Sequence, residues 1–138
     1  MASVLNPYLN FNGNARQAME FYRDVFGGDL MITTFAELGA ADGADADKVM
    51  HAGLETTKGY TLYGSDVPSH MQPYQPPAAF AVSISGDDPI LRDYFEKLSA
   101  GGAVTMPLAK QAWGDEFGML TDQFGIQWMA NISQPQAG

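Results

Sequence analysis

The sequence predicts an α+β domain built from two copies of a β-α-β-β-β unit, and three observations carry that prediction. The stretch HAGLETTKGYTLYGS from His51 aligns without a gap on FGMLTDQFGIQWMAN from Phe117, an offset of 66 that sets Leu54 on Leu120, Gly59 on Gly125, Leu62 on Trp128 and Tyr63 on Met129. Upstream, Gly27-Gly28 and Gly101-Gly102 each follow a helix-like stripe at an offset of 74, with Phe21 meeting Phe95. The offsets differ because 22 residues, Asp29 to Met50, follow the first Gly pair where 14, Ala103 to Glu116, follow the second. A duplication with one change of loop length accounts for all of this.

Tyr8 to Phe11 alternates aromatic or apolar with polar character as a short strand, and Asn12-Gly13-Asn14 supplies a turn and a helix N-cap. Ala15, Ala18, Met19, Tyr22, Val25 and Phe26 then recur at helical spacing as one apolar face, which the Gly pair closes as a C-cap. Strands are expected at Leu30 to Phe35, Val49 to Thr56 and Tyr60 to Gly64, the last two joined by the turn Thr57-Lys58-Gly59. Pro68, Pro73, Pro76 and Pro77 break both periodicities and mark a connector. The second unit opens on a strand in which Phe80, Val82 and Ile84 alternate with Ala81 and Ser83. Asp87-Asp88-Pro89 reads as an N-cap followed by a first-turn proline, and Ile90, Leu91, Tyr94, Phe95 and Leu98 form the matching helical stripe. A weak strand near Val104, then Phe117 to Thr121 and Ile126 to Ile132 joined by Gln123-Phe124-Gly125, complete it. The expected bounds are module one at 1–66, a connector at 67–77, module two at 78–132 and a polar tail at 133–138, all within one domain of 138 residues.

Neither half of a chain this short would bury enough surface alone, so a shared core is expected. With 46% apolar and 17% charged residues the composition is globular, and no apolar run approaches the roughly 20 residues that span a bilayer. Met1 leads into Ala-Ser-Val-Leu-Asn-Pro without a basic and apolar leader, so a cytoplasmic location is expected. The absence of Cys excludes disulfides, thiol catalysis and thiolate metal sites. A net charge of −9 repels a phosphate backbone, and no nucleic-acid or membrane partner is expected. Glu37, Asp42, Asp45 and Asp47 sit in a Gly/Ala-rich connector without the spacing of a calcium loop, and read as solvated carboxylates. No Gly-x-Ser-x-Gly elbow occurs, and Gly27-Gly28 ends a helix where a phosphate cradle would open one. Hydrolase and nucleotide-dependent chemistry therefore have no warrant.

Several motifs together resemble a known family. Leu9-Asn10-Phe11-Asn12-Gly13-Asn14, Glu20-Phe21-Tyr22, Phe26-Gly27-Gly28, Met50-His51-Ala52, Gly64-Ser65-Asp66, Trp113-Gly114-Asp115 and the run Gly118 to Trp128 are similar to the vicinal oxygen chelate superfamily, in its PhnB-like, glyoxalase/bleomycin-resistance-type branch. The resemblance implies paired βαβββ modules, curved sheets enclosing a small-molecule cavity, and a homodimer. Metal-using members place a His or Glu at the start of each module's first strand and a Glu on each last strand. Here those positions fall at Asn6 or Pro7, at Ala78 or Ala79, and at Tyr63 and Met129. The usual metal box is thus missing, and neither metal nor cofactor is expected.

Residues two apart on a strand share a face. If Met129 faces the cavity, Gln127 and Asn131 do so too, with Thr61, Tyr63 and Ser65 on the corresponding strand, while Ile126, Trp128 and Ala130 pack beneath the helices. Such a wall suits a neutral or partly aromatic ligand more than a strong anion. Tyr8 and Asn10 would share one face and, with Tyr63, either present hydroxyl and amide groups to a ligand or make hydrogen bonds at the edge of the core. His51 opens a strand as a ligand anchor, a proton shuttle, an unusual metal ligand or a His holding a backbone carbonyl, with Glu55 on the same face but beyond direct reach along one strand. His70 is expected to be exposed. Trp113 either stacks on a planar ligand or covers a dimer seam, Asp115 either accepts a hydrogen bond from a ligand or caps a turn, and Asp122 caps a turn. Three readings of the cavity follow. The first is a small-molecule-binding protein without a conventional metal centre. The second is a lyase, isomerase or dioxygenase-like enzyme using His51, Tyr8 and Glu55 with a divergent metal. The third is a purely structural or regulatory dimer, whose cavity is filled by its own side chains.

Overall fold

In the computed structural model the described residues are 3–38, 46–67, 74, 76 and 78–134, so Asp42, Asp45 and His70 lie outside them. The chain divides into two compact units, Met1–Gln75 and Pro76–Gly138. The first contains β1 (Tyr8–Phe11), α1 (Ala15–Phe26), β2 (Asp29–Thr34), a short 3-10 turn (Ala36–Leu38), β3 (Val49–Glu55) and β4 (Thr61–Asp66). The second contains β5 (Val82–Gly86), α2 (Ile90–Leu98), β6 (Ala103–Lys110), β7 (Glu116–Thr121) and β8 (Gln127–Ile132). Both are β-α-β-β-β. Each forms a mixed four-stranded sheet, β1-β4-β3-β2 and β5-β8-β7-β6, whose first strand runs parallel to its last and whose other pairs are antiparallel.

Period sets what each element buries. In α1 the buried residues are Ala15, Ala18, Met19, Tyr22, Val25 and Phe26, the expected stripe, and they pack on β2, β3 and β4. The sheet meets them with Leu9, Phe11, Ala52, Leu54 and Leu62, all buried, and each large apolar side chain so removed from water contributes about 1.5–3 kcal/mol. In the second unit Leu91, Tyr94, Phe95 and Leu98 of α2 pack on β5 and β8, where Trp128, Ala130 and Ile132 are buried. The Phe21–Phe95 match does not extend to packing: Phe95 is buried, whereas Phe21 is half-buried beside the fully buried Tyr22.

The duplication is written in the backbone. Gly27 and Gly101 adopt φ of 72° and 75°, and Gly59 and Gly125 adopt 88° and 90°. The hairpin turns match bond for bond. The Thr56 amide donates to the Tyr60 carbonyl at 2.9 Å and Gly59 to Thr56 at 2.9 Å, while Asp122 donates to Ile126 at 2.8 Å and Gly125 to Asp122 at 3.0 Å. A Cβ on Gly28 would overlap the Glu55 carbonyl, and one on Gly102 the Thr121 carbonyl, so the backbone crosses itself at the same place in each module.

Four sequence expectations change. Asn14 makes no side-chain cap to α1; its Oδ1 accepts the Asn12 amide at 3.3 Å, and the cap comes from Asp66, whose Oδ1 accepts the Ala15 amide at 2.9 Å. The strand expected from Phe80 begins at Val82, and Phe80 is 46% exposed. The weak strand near Val104 is a full edge strand of 8 residues, mostly exposed, with register breaks at Val104/Met106 and Met106/Ala109 that hide its period-2 pattern. Ahead of α2, Asp88 Oδ1 accepts the Ile90 amide at 3.0 Å, while the N-cap position falls on Pro89, so the proline precedes the helix where a place in its first turn was expected. No helix among the described residues is long and apolar enough to cross a membrane.

Candidate functional site

Alternation divides the first sheet into two faces. Leu62, Gly64 and Asp66 of β4 are buried, leaving Thr61, Tyr63 and Ser65 on the opposite face. Strand register then assembles one row across that open face, Tyr8 beside Tyr63, Tyr63 beside Gly53 and Gly53 beside Met31. Gly53 is the gap in the row. Above it lies a groove of about 250 Å³ lined by His51, Tyr63, Glu55, Asp29, Met31 and Thr33 as well as Gly53 itself. A Cβ on Gly53 would sit 3.4 Å from the Tyr63 ring and 3.9 Å from His51 Nε2, so the missing side chain opens the floor.

Three rings gather at one wall. The His51 ring lies 5.0 Å from Tyr63 at 68° and 5.8 Å from Tyr8 at 37°, and Tyr8 meets Tyr63 edge-on at 6.4 Å. The Tyr8 hydroxyl hydrogen-bonds His51 Nδ1 at 3.3 Å. With the phenol as donor, the proton of a neutral imidazole resides on Nε2, the nitrogen nearer the groove floor. His51 can therefore offer a hydrogen bond to a ligand oxygen, or exchange a proton with it.

The same positions in module two are filled. The offset of 66 puts Met119 at the place of Gly53, and Met119 stands in register between Met129 and Met106. Of the residues singled out in the sequence, His51 and Tyr63 line the groove and Tyr8 braces His51, while Asn10 is exposed one row away, beside Ser65. Gln127, Met129 and Asn131 share a face of β8 as expected, but in the other unit and outside this groove. The Asn131 amide is engaged, donating to Asp115 Oδ2 at 2.9 Å. Trp113 is 62% exposed and meets Phe117 edge-on. Asp122 caps its turn by accepting the Phe124 and Ile126 amides at 2.9 and 3.0 Å, and also accepts the Trp128 indole N–H at 2.9 Å. Asp29, Met31 and Thr33 were not singled out, because only the register of β2 against β3 reveals them.

Solved members of the glyoxalase/bleomycin resistance protein/dioxygenase superfamily share this fold at 15–16% identity, with TM-scores of 0.67 and 0.60, which defines the structural class. Within it, the chain belongs to the family described as 3-demethylubiquinone-9 3-methyltransferase, whose model matches residues 3–130. It is similar to protein PA1353 from Pseudomonas aeruginosa, at 36% identity and a TM-score of 0.81, covering 97% of this chain and 100% of that one. It is also similar to a putative 3-demethylubiquinone-9 3-methyltransferase, PhnB protein, from Bacillus cereus, at 26% identity and a TM-score of 0.72, covering 95% and 100%. Protein YjdN of Escherichia coli K12 is 26% identical over 145 residues, covering 96% of this chain and 97% of its own.

Neither group that this kinship implies fits the residues present. At the positions where metal-using members of the superfamily place ligands stand Asn6 or Pro7, Ala78 or Ala79, Tyr63 and Met129, and the Asn6 amide is turned to the Pro7 carbonyl at 3.0 Å. Among the described residues no three His, Asp or Glu side chains converge. For a nucleoside-bearing methyl donor, the groove of about 250 Å³ lies below the ~300–1,000 Å³ of sites that enclose drug-sized ligands, and both Gly pairs close helices. No step is routed through either group.

Proposed function

We propose that this chain binds a small, partly aromatic molecule in the groove over Gly53, without the superfamily's conventional metal ligands. One observation carries the reading: in module one Gly53, flanked by His51 and Tyr63, leaves a groove on the open face of the sheet, at a position where module two carries the side chain of Met119. The Tyr63 and His51 rings supply a planar apolar wall, and His51 Nε2 supplies one directional polar contact. The exposed edge strand β6, with Val104 and Met106 at its surface, supports pairing of two copies, which a molar-mass measurement in solution checks.

Titration of ¹⁵N-labelled protein with 2-phenylethanol tests the binding reading. Saturable amide shifts centred on His51, Gly53 and Tyr63 support it; shifts confined to residues 82–132, or none, refute it.

A second reading rests on the Tyr8–His51 bond, which orients an imidazole for proton transfer at a bound carbonyl compound. Exchange of α-protons of small ketones in D₂O, lost in His51→Ala, would establish it, and identical exchange in the variant would remove it.

A further inference from the structure

The groove holds two carboxylates that the fold does not require. Asp29 and Glu55 stand directly opposite each other in the antiparallel register of β2 and β3, and both line the groove. Like charges in that relation repel and cost stability. Module two provides the internal control, since the same two positions pair Ala103 with Thr121 in the same register without any charge. Among the described residues neither Asp29 nor Glu55 has a hydrogen bond or ion pair from its side chain to neutralise it. A repelling pair, spared in the duplicate and open to an aromatic groove, is an arrangement that a bound cation relieves.

Building on the reading of the groove as a small-molecule site, we propose that its ligand is an organic cation, a protonated amine carried on a planar ring. The ammonium sits between Asp29 and Glu55, and the ring lies over Gly53 against Tyr63 and His51. Glu55 is two residues from Gly53 along β3, about 7 Å, which suits a ring joined to its amine by a short tether. Electron-rich faces of Tyr63 and Tyr8 favour a cation nearby, and the net charge of −9 draws cations and repels anions.

The test compares three probes of one shape, 2-phenylethylamine, 2-phenylethanol and phenylacetate, titrated into the ¹⁵N-labelled full chain. The amine is expected to bind at His51, Gly53 and Tyr63 more tightly than the alcohol, with an affinity that falls as salt is added, and phenylacetate is expected to bind least. The double substitution Asp29→Asn with Glu55→Gln should weaken the amine about tenfold and the alcohol by far less. It should also raise the melting temperature of the free protein by relieving the repulsion. This variant keeps the fold, as the neutral pair Ala103–Thr121 does in the duplicate. Equal binding of amine and alcohol, or amine binding indifferent to the double substitution, overturns the cation assignment and leaves the groove reading standing. Absence of saturable shifts at the groove with all three probes overturns both.

Discussion

Asp66 caps α1 from a distance of 51 residues: its Oδ1 accepts the Ala15 amide at 2.9 Å. Its second oxygen accepts the Val49 amide, also at 2.9 Å, so one buried carboxylate joins the start of α1, the start of β3 and the end of β4. Asp66→Ala strands two donors that the fold has removed from water. The expected loss is about 2–4 kcal/mol, the sum of a helix cap and a buried unsatisfied amide. Urea unfolding measures it, and a loss below about 1 kcal/mol would show that water or a rearranged loop replaces the carboxylate.

The matched crossings at Gly28 and Gly102 predict matched sensitivities. In Gly28→Ala the new methyl meets the Glu55 carbonyl and Thr56, and in Gly102→Ala it meets the Thr121 carbonyl and Asp122. Each should cost about 1–3 kcal/mol from overpacking, with Gly28→Ala the larger because its φ of 112° is also strained for a side chain. Parallel denaturation curves check this; a neutral effect in either module would contradict the shared geometry.

The surface ion pair in module two predicts a pH effect with a definite sign. Arg92 donates to both oxygens of Glu116, through Nε at 3.3 Å and through Nη2. Chiefly through that hydrogen bond, Arg92 holds the Glu116 carboxyl below its ordinary value, and Glu116 in turn raises Arg92. Because the folded-state value is depressed, the stabilisation is complete above the unfolded-state carboxylate range and fades as pH falls through the folded one. Glu116→Gln should therefore melt slightly below the parent at neutral pH, with the gap closing in acid. A gap that is constant from neutral to strongly acidic pH would show that the pair contributes nothing to stability.

Much of this fold was legible because its signals are local. Tyr8 to Phe11 and the stripe from Ala15 to Phe26 coincide with β1 and α1 residue for residue, since period 2 and period 3.6 need no knowledge of the rest of the chain. Two losses have separate causes. Asn14 offered a nearby cap, but Asp66 performs the capping from the end of β4, and pairing across that separation leaves no local pattern. The edge strand β6 was faint because its bulges, and Pro107 within it, erase the alternation. At the site, His51 and Tyr63 stood out through motif and duplication, whereas Asp29 joined them only when β2 was set against β3 in register. The duplication did reveal which residues correspond. It did not reveal that Gly53, where module two carries Met119, floors a groove on the open face of module one.

That exchange is the most direct handle on the account. Gly53→Met places in module one the side chain that module two already carries, and a Cβ there meets Tyr63 at an ordinary 3.4 Å, so the sheet should tolerate it. The decisive measurement is the affinity of 2-phenylethanol for parent and variant by amide-shift titration, with the unperturbed spectrum of residues 82–132 reporting an intact second module. The account predicts that binding at His51 and Tyr63 is lost or weakened at least about tenfold, the effect of filling a small pocket at roughly 1.4 kcal/mol or more. Undiminished binding by a folded Gly53→Met variant would contradict it.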